Sequence, residues 1–178
     1  MRSVNIDLIY GLPGQSLDGF RRTLDTVVAM RPDRLAVYSY AHLPHIFKPQ
    51  NQIDDSLLPD PDTKLALLQA AVEQLTAAGY VYIGMDHFAL PGDELAVAQA
   101  RGGLHRNFMG YTTHADSDLV GLGVSAISHI GNSFSQNPRD LPSWEAALDA
   151  GRLPVFRGMR LDEDDQVRAD LIQSLMCQ

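Results

Sequence analysis

A chain of 178 residues that is 45% hydrophobic and 20% charged has the composition of an ordinary soluble globular protein, long enough for one substantial core and the beginning of a second unit, which excludes a disordered or fibrous chain. The formal net charge of −8 arises from scattered acidic residues without a Lys/Arg block, which argues against a general nucleic-acid surface or an anionic membrane surface, so an anionic ligand would need specific Arg or Lys residues. No apolar run is long enough to cross a bilayer, and Met1 leads into a strand rather than a secretory start, so the expected compartment is the cytoplasm. The single cysteine, Cys177, excludes an internal disulfide framework and a multi-cysteine metal site within this chain.

The run NIDLIYGLPGQSLDGF from Asn5 reads as a buried strand, covered on both faces, that carries Asp7 into a turn of Gly11, Pro13 and Gly14 before Ser16 opens a helix. Asp7 either pairs with an Arg or a backbone amide or serves a ligand. Leu17, Phe20, Leu24, Val27 and Val28 recur at helical spacing, and Pro32 sets the end near Met30. RLAVYSY, Arg34 to Tyr40, is a strand. The connection from Ala41 to Pro59 holds three prolines, longer than a tight turn requires. Asp60 as N-cap, Pro61 at the first helical position and the stripe Leu65, Leu68, Ala71, Val72 and Leu75 predict a helix stopped by Gly79. YVYIGMDHFAL from Tyr80 reads as one further strand.

This β, α, β, α, β order predicts an α/β fold with a parallel sheet, helices on its faces and ligands at the carboxyl ends of the strands. Beyond it, Glu94 to Ala100 reads as a short helix. The small-residue segment from Asp118 (DLVGLGVSAISHIG) reads as a strand allowing close backbone approach. Helices are predicted from Pro142 through Ala150 and after the acidic run Asp162 to Asp165, which suits a helix's positive end. Both ends look cut, so the expectation is a fragment or a chain that closes its open sheet edge by association. His42 and His45 have an H-x-x-H spacing in a proline-bearing loop without a third ligand nearby, and no metal site is expected there. Asp86 and His87 either pair with each other or face a ligand. Arg106, between His105 and Asn107, could hold a carboxylate in bidentate fashion. His114 and His129 receive no role.

The strings NIDLIYGLPGQ, YSYAHLP, GMDHFALPGDELAVAQ, LHRNFMGYTT and GVSAIS, in this order, resemble the later part of oxygen-independent coproporphyrinogen III oxidase, a radical S-adenosylmethionine (SAM) family of haem biosynthesis. The first string is shared with related radical SAM proteins, whereas MDHFA and HRNFxGYTT discriminate. The resemblance implies a partial (β/α) barrel, the second half of a radical SAM barrel with parallel strands, over 1–150. The start of a helical C-terminal region follows over 151–178. It implies that Asp7 accepts from the SAM ribose hydroxyls, that Ile9 and Ala41 line the adenine, and that Phe108 and Ile127 sit near a second SAM. His87 and Arg106 would face the porphyrinogen substrate. The family's [4Fe-4S] cluster needs a Cys-x3-Cys-x2-Cys motif that this chain lacks, so the activity belongs to a full-length parent and the chain alone is expected to be inactive. A haem-trafficking or haem-binding relative and a stand-alone adenine-nucleotide-binding module are the alternative readings.

Overall fold

The computed structural model describes residues 3–115 and 117–177; Met1 and Gln178, where the sequence reading placed the cut ends, lie outside them. The chain divides into two compact units, one up to Arg101 and one from Gly102 onward.

The first unit opens with β1 (Asn5–Tyr10), α1 (Leu17–Met30) and β2 (Arg34–Ser39). Ser16 Oγ accepts from Gly19 N at 3.2 Å to start α1, and Arg31, at φ 50°, ends it with its N–H on Val28 O. Helix α1 buries Phe20, Leu24 and Val27, as its spacing predicts. Helix α2 (Pro61–Ala77) is capped by Asp60, whose carboxylate accepts from Thr63 N at 2.7 Å, and Gly79 at φ +90° turns the chain away. Its buried stripe is Leu67, Ala70, Ala71 and Leu75, rotated from the predicted one, and Leu65 is 55% exposed. Buried Tyr80 ties the turns after α1 and α2 together by donating its hydroxyl to Pro32 O at 2.7 Å.

Strands β1 and β2 are parallel over six pairs, from Asn5↔Arg34 to Tyr10↔Ser39, as expected. The third predicted strand is corrected: Tyr80 to Leu90 splits into β3 (Val81–Gly84) and β4 (His87–Ala89). Gly84 at φ 147° and Met85 at φ 50° make the reversal. Strand β4 pairs antiparallel with both β2 and β3, so the order is β1-β2-β4-β3 and the sheet is mixed. β3 therefore runs in the direction of β2, but β4 lies between them. Helices α1 and α2 cover one face through Leu35, Val37 and Phe88, with Ile6, Leu8 and Tyr10 packed at the margin of that core. A short helix, α3 (Glu94–Ala100), closes the unit behind an Asp93 cap.

The second unit begins with a hairpin of β5 (His105–Asn107) and β6 (Gly110–Thr112). The predicted strand from Asp118 is also corrected. Only β7 (Ile127–Ile130) is a strand, with Leu119 bridging His129 by a single antiparallel pair. The small residues do permit close approach, since a Cβ on Gly121 would sit 2.6 Å from Ile127 O. β8 (Ser133–Gln136) and β9 (Arg157–Arg160) complete an antiparallel sheet in the order β7-β8-β9, with α4 (Leu141–Asp149) between them in sequence. The segment 151–178 thus holds β9 and α5 (Glu163–Met176), whose acidic first turn forms a reciprocal cap between Asp162 and Asp165.

Candidate cofactor and substrate site

Side chains alternate along a strand with period two, so β1 presents Asn5, Asp7 and Ile9 on the face away from α1 and α2. All three are exposed, with Ile9 at 45%, which corrects the expectation of a strand covered on both faces. Among the described residues Asp7 is paired neither with an Arg nor with a backbone amide; Asn5 Nδ2 donates to its Oδ1 at 2.5 Å. Register carries this face across the sheet, since Asp7 stands beside Ala36 on β2 and Ala36 beside His87 on β4. Ile9 stands beside Tyr38, whose ring meets the His87 ring edge-on at 6.0 Å and 87°. His87 Nδ1 is 2.6 Å from Asp86 Oδ1, so these two residues do pair with each other. At the far end of the same face Arg34 holds Asp93 and Glu94, each at 2.8 Å. Burial by itself would lower its pKa, but the two carboxylates outweigh that and raise it.

The carboxyl ends of β1 and β2 are held in place by side chains with no evident signal in the sequence. Gln15 Oε1 accepts from Gly11 N at 2.6 Å and from Leu12 N at 3.3 Å, while its Nε2 donates to Ile9 O at 3.2 Å. Tyr40 N donates to Tyr10 O at 2.8 Å. Lys64, from the first turns of α2, donates from Nζ to Tyr40 O at 3.0 Å, and its stem passes so close to Gly11 that a Cβ there would lie 2.8 Å from Lys64 Cε. Ala41, exposed just beyond β2, has its carbonyl held by Gln50 Nε2 at 3.1 Å, and Gln50 Oε1 accepts from Leu43 N at 2.6 Å. The long connection is thus an ordered loop, with two short 3-10 turns at Lys48–Gln52 and Asp55–Leu57. Within it His42 contacts the Tyr40 hydroxyl at 3.3 Å and lies 2.8 Å from Asp55 Oδ1, while His45 is exposed. Among the described residues no three His, Cys, Asp or Glu side chains converge as a metal set.

In the second unit a cleft of about 580 Å³ lies between the β5/β6 hairpin, the β7/β8 turn and α5. Phe108, 58% exposed at the hairpin tip, lines it, whereas Ile127 is not part of its wall. His129, given no role by the sequence, lines it as well, stacked on Phe134 at 4.1 Å and 10°, with Phe108 edge-on to Phe134 at 5.5 Å. The Arg106 guanidinium lies 5.6 Å from the centre of the Tyr111 ring, and its Nε is buried without a hydrogen-bond partner among the described residues. The Gln173 amide, oriented by its neighbours, accepts from Arg106 N at 2.8 Å and His105 Nδ1 at 2.9 Å and donates to Arg106 O at 3.2 Å. Cys177 is buried, and burial raises its thiol pKa.

No family model matches the chain. It is 58% identical over 176 residues to the oxygen-independent coproporphyrinogen III oxidase of Pseudomonas aeruginosa, covering 99% of this chain and 38% of that protein. The chain resembles oxygen-independent coproporphyrinogen III oxidases along its whole length. The Escherichia coli oxidase is 53% identical over 98% of this chain and 38% of its own length. That of Thermostichus vulcanus is 46% identical over 99% of this chain and 54% of its own. The chain therefore spans under two-fifths of the first two oxidases. A solved structure of the Escherichia coli coproporphyrinogen III oxidase, described as a radical SAM enzyme, matches with a TM-score of 0.96 at 53% identity, covering 99% of this chain and 41% of that one.

Proposed function

We propose that this chain is part of an oxygen-independent coproporphyrinogen III oxidase, a radical SAM oxidoreductase of haem biosynthesis. Its parent converts propionates of coproporphyrinogen III to vinyls, giving protoporphyrinogen IX, with loss of carbon dioxide and transfer of electrons to an acceptor. The observation that carries this reading is identity of 58% and 53% to two such oxidases over nearly the whole chain. In that parent β1 and β2 are strands of a partial (β/α) barrel, 151–178 begins a helical region, and the compartment is the cytoplasm. Among the described residues no helix is long and apolar enough to cross a membrane.

The residues of the first unit fit SAM. Asp7 is an exposed carboxylate with acceptor capacity beyond its bond to Asn5, as two ribose hydroxyls require. Ile9 and Ala41, exposed at the carboxyl ends of the parallel pair, would border the adenine. Phe108 and Ile127 are assigned to a second SAM, and His87 and Arg106 to the substrate. The Nε of Arg106, without a hydrogen-bond partner among the described residues, suits a carboxylate. The chain does not fit an iron-sulfur cluster, because Cys177 is its only cysteine and is buried. The cluster ligands therefore belong to the parent, and this chain alone is expected to be inactive.

Isothermal calorimetry of SAM binding to the chain, wild type against Asp7→Ala, tests the assignment. Two hydrogen bonds to a carboxylate, at about 1.5–3 kcal/mol each, are worth a weakening of about a hundredfold or more. A folded wild type that binds no SAM, or a mutant that binds as tightly as wild type, refutes it.

A further inference from the structure

The carboxyl end of β2 outruns its neighbour on one side. Backbone polar groups of an extended chain point alternately to its two neighbours. Val37 N donates to Asp86 O at 2.7 Å on the β4 side, and Tyr40 N donates to Tyr10 O at 2.8 Å on the β1 side. Ala41 and Leu43 continue the Val37 series, but β4, which begins at His87 opposite Ala36, does not extend that far. Gln50 takes the place of the strand: its Nε2 donates to Ala41 O at 3.1 Å and its Oε1 accepts from Leu43 N at 2.6 Å. In a parallel ladder one residue donates to a partner carbonyl and accepts from the amide two residues further on, so a single primary amide reproduces one rung. Gln15 does the same for edge strand β1, donating to Ile9 O at 3.2 Å and accepting from Gly11 N at 2.6 Å. Gln50 is itself anchored in its 3-10 turn, where its N–H reaches Phe47 O at 2.9 Å and its carbonyl accepts from Ile53 N at 3.1 Å.

Resting on the function proposed above, we infer that Gln50 is a positioning residue for SAM, which sets the base-binding gap between Ile9 and Ala41 by pinning the backbone from Ala41 to Leu43. Packing does little to fix either wall of that gap, since Ile9 is 45% exposed and Ala41 is exposed as well. A wall that burial leaves loose is held by hydrogen bonds, or the ligand orders it on binding and loses affinity in doing so. Ala41 has only a methyl side chain, so its backbone alone decides where its wall stands. Lys64 holds the preceding carbonyl, Tyr40 O, at 3.0 Å, which leaves Ala41 to Leu43 to Gln50. Asp7 lies within the six-pair register of β1 and β2, outside the reach of Gln50. Gln50 therefore acts on the base and not on the sugar.

The test is calorimetric titration of the chain with 5′-deoxyadenosine and with 5′-deoxyuridine, which share the sugar and differ in the base, and with SAM. The proteins are wild type, Gln50→Met, Gln50→Glu and Tyr80→Phe. A purine covers more of Ile9 and Ala41 than a pyrimidine, so the wild type is expected to prefer the adenine nucleoside about fourfold or more, the worth of one methylene-sized piece of apolar surface. Gln50→Met keeps the side-chain length without its hydrogen bonds; the preference falls below about twofold and SAM binds about threefold to tenfold more weakly. Gln50→Glu sets a carboxylate oxygen against Ala41 O and lowers the preference too. Tyr80→Phe, which removes a buried hydrogen bond remote from the gap, keeps the preference within about twofold. A preference that survives in Gln50→Met, one lost equally in Tyr80→Phe, or a wild type that binds both nucleosides alike overturns the inference. Should Gln50→Met fail to fold by circular dichroism, an unchanged preference in Gln50→Glu overturns it equally. SAM binding that is lost in Asp7→Ala, with a base preference that Gln50 does not move, overturns this inference alone, whereas a folded wild type that binds neither SAM nor nucleoside overturns both readings.

Discussion

Lys64 and Gly11 together latch the carboxyl ends of β1 and β2, and a double-mutant cycle measures that latch. The ammonium donates to Tyr40 O at 3.0 Å while its stem fills the space a Cβ on Gly11 would need, 2.8 Å from Lys64 Cε. Lys64→Ala removes a charged donor from a carbonyl that water can partly reach. A charged hydrogen bond is worth about 1.5–3 kcal/mol, so the expected cost lies near the low end, about 1.5 kcal/mol. Gly11→Ala meets two penalties. Its φ of +83° costs a non-glycine residue about 1 kcal/mol, and its methyl displaces the lysine stem and weakens the bond to Tyr40. In the Lys64→Ala background the second penalty vanishes, so the double mutant should be more stable than the sum of the single mutants by about 0.5–1.5 kcal/mol. Urea denaturation followed by circular dichroism reads the four stabilities, and hydrogen exchange at the Tyr40 amide localises the effect. Additivity within about 0.3 kcal/mol would refute the latch.

Other outcomes follow from single contacts. Tyr80→Phe should destabilise by about 1 kcal/mol in urea, because Pro32 O loses its buried donor at 2.7 Å; an unchanged midpoint would show that the bond adds nothing net. The Asp60 carboxyl is held below its ordinary value of 3.8 by hydrogen bonds from Thr63. Its contribution is therefore present above that value and lost as pH falls through the lowered one, so Asp60→Ala should flatten the acid limb of the stability curve below that value; a parallel limb would refute the cap's role. Cys177 is buried with its thiol pKa raised, so alkylation at neutral pH should be much slower in the native chain than in urea; equal rates would contradict its burial.

Local chemistry made much of the chain legible. Caps at Ser16 and Asp60, stops at Pro32 and Gly79 and the acidic turn at Asp162 to Asp165 are one-residue or one-turn signals, and α1, α2 and α5 form where they predict. The parallel pairing of β1 with β2 also followed, because the intervening helix is long enough for a crossover. The residues proposed for the site were legible only by their place in the chain: Asp7 on a strand, Ala41 after one, Asp86 beside His87. Their arrangement was not. Apolar content hid the alternation that leaves Asp7 and Ile9 exposed, because period two shows which residues share a face but not whether that face is covered. Nor does any local signal say that the chain reverses at Gly84 and Met85, inserting β4 between β2 and β3 and so carrying His87 into line with Asp7. The same holds for the hairpins of the second unit and the cleft beside α5. Propensities and caps act within a turn of helix or a few residues of strand, so the sequence by itself determined where elements begin and end. Which strands become neighbours, and which side chains meet across them, depends on hydrogen bonds and packing between distant segments, and only the tertiary structure decided those.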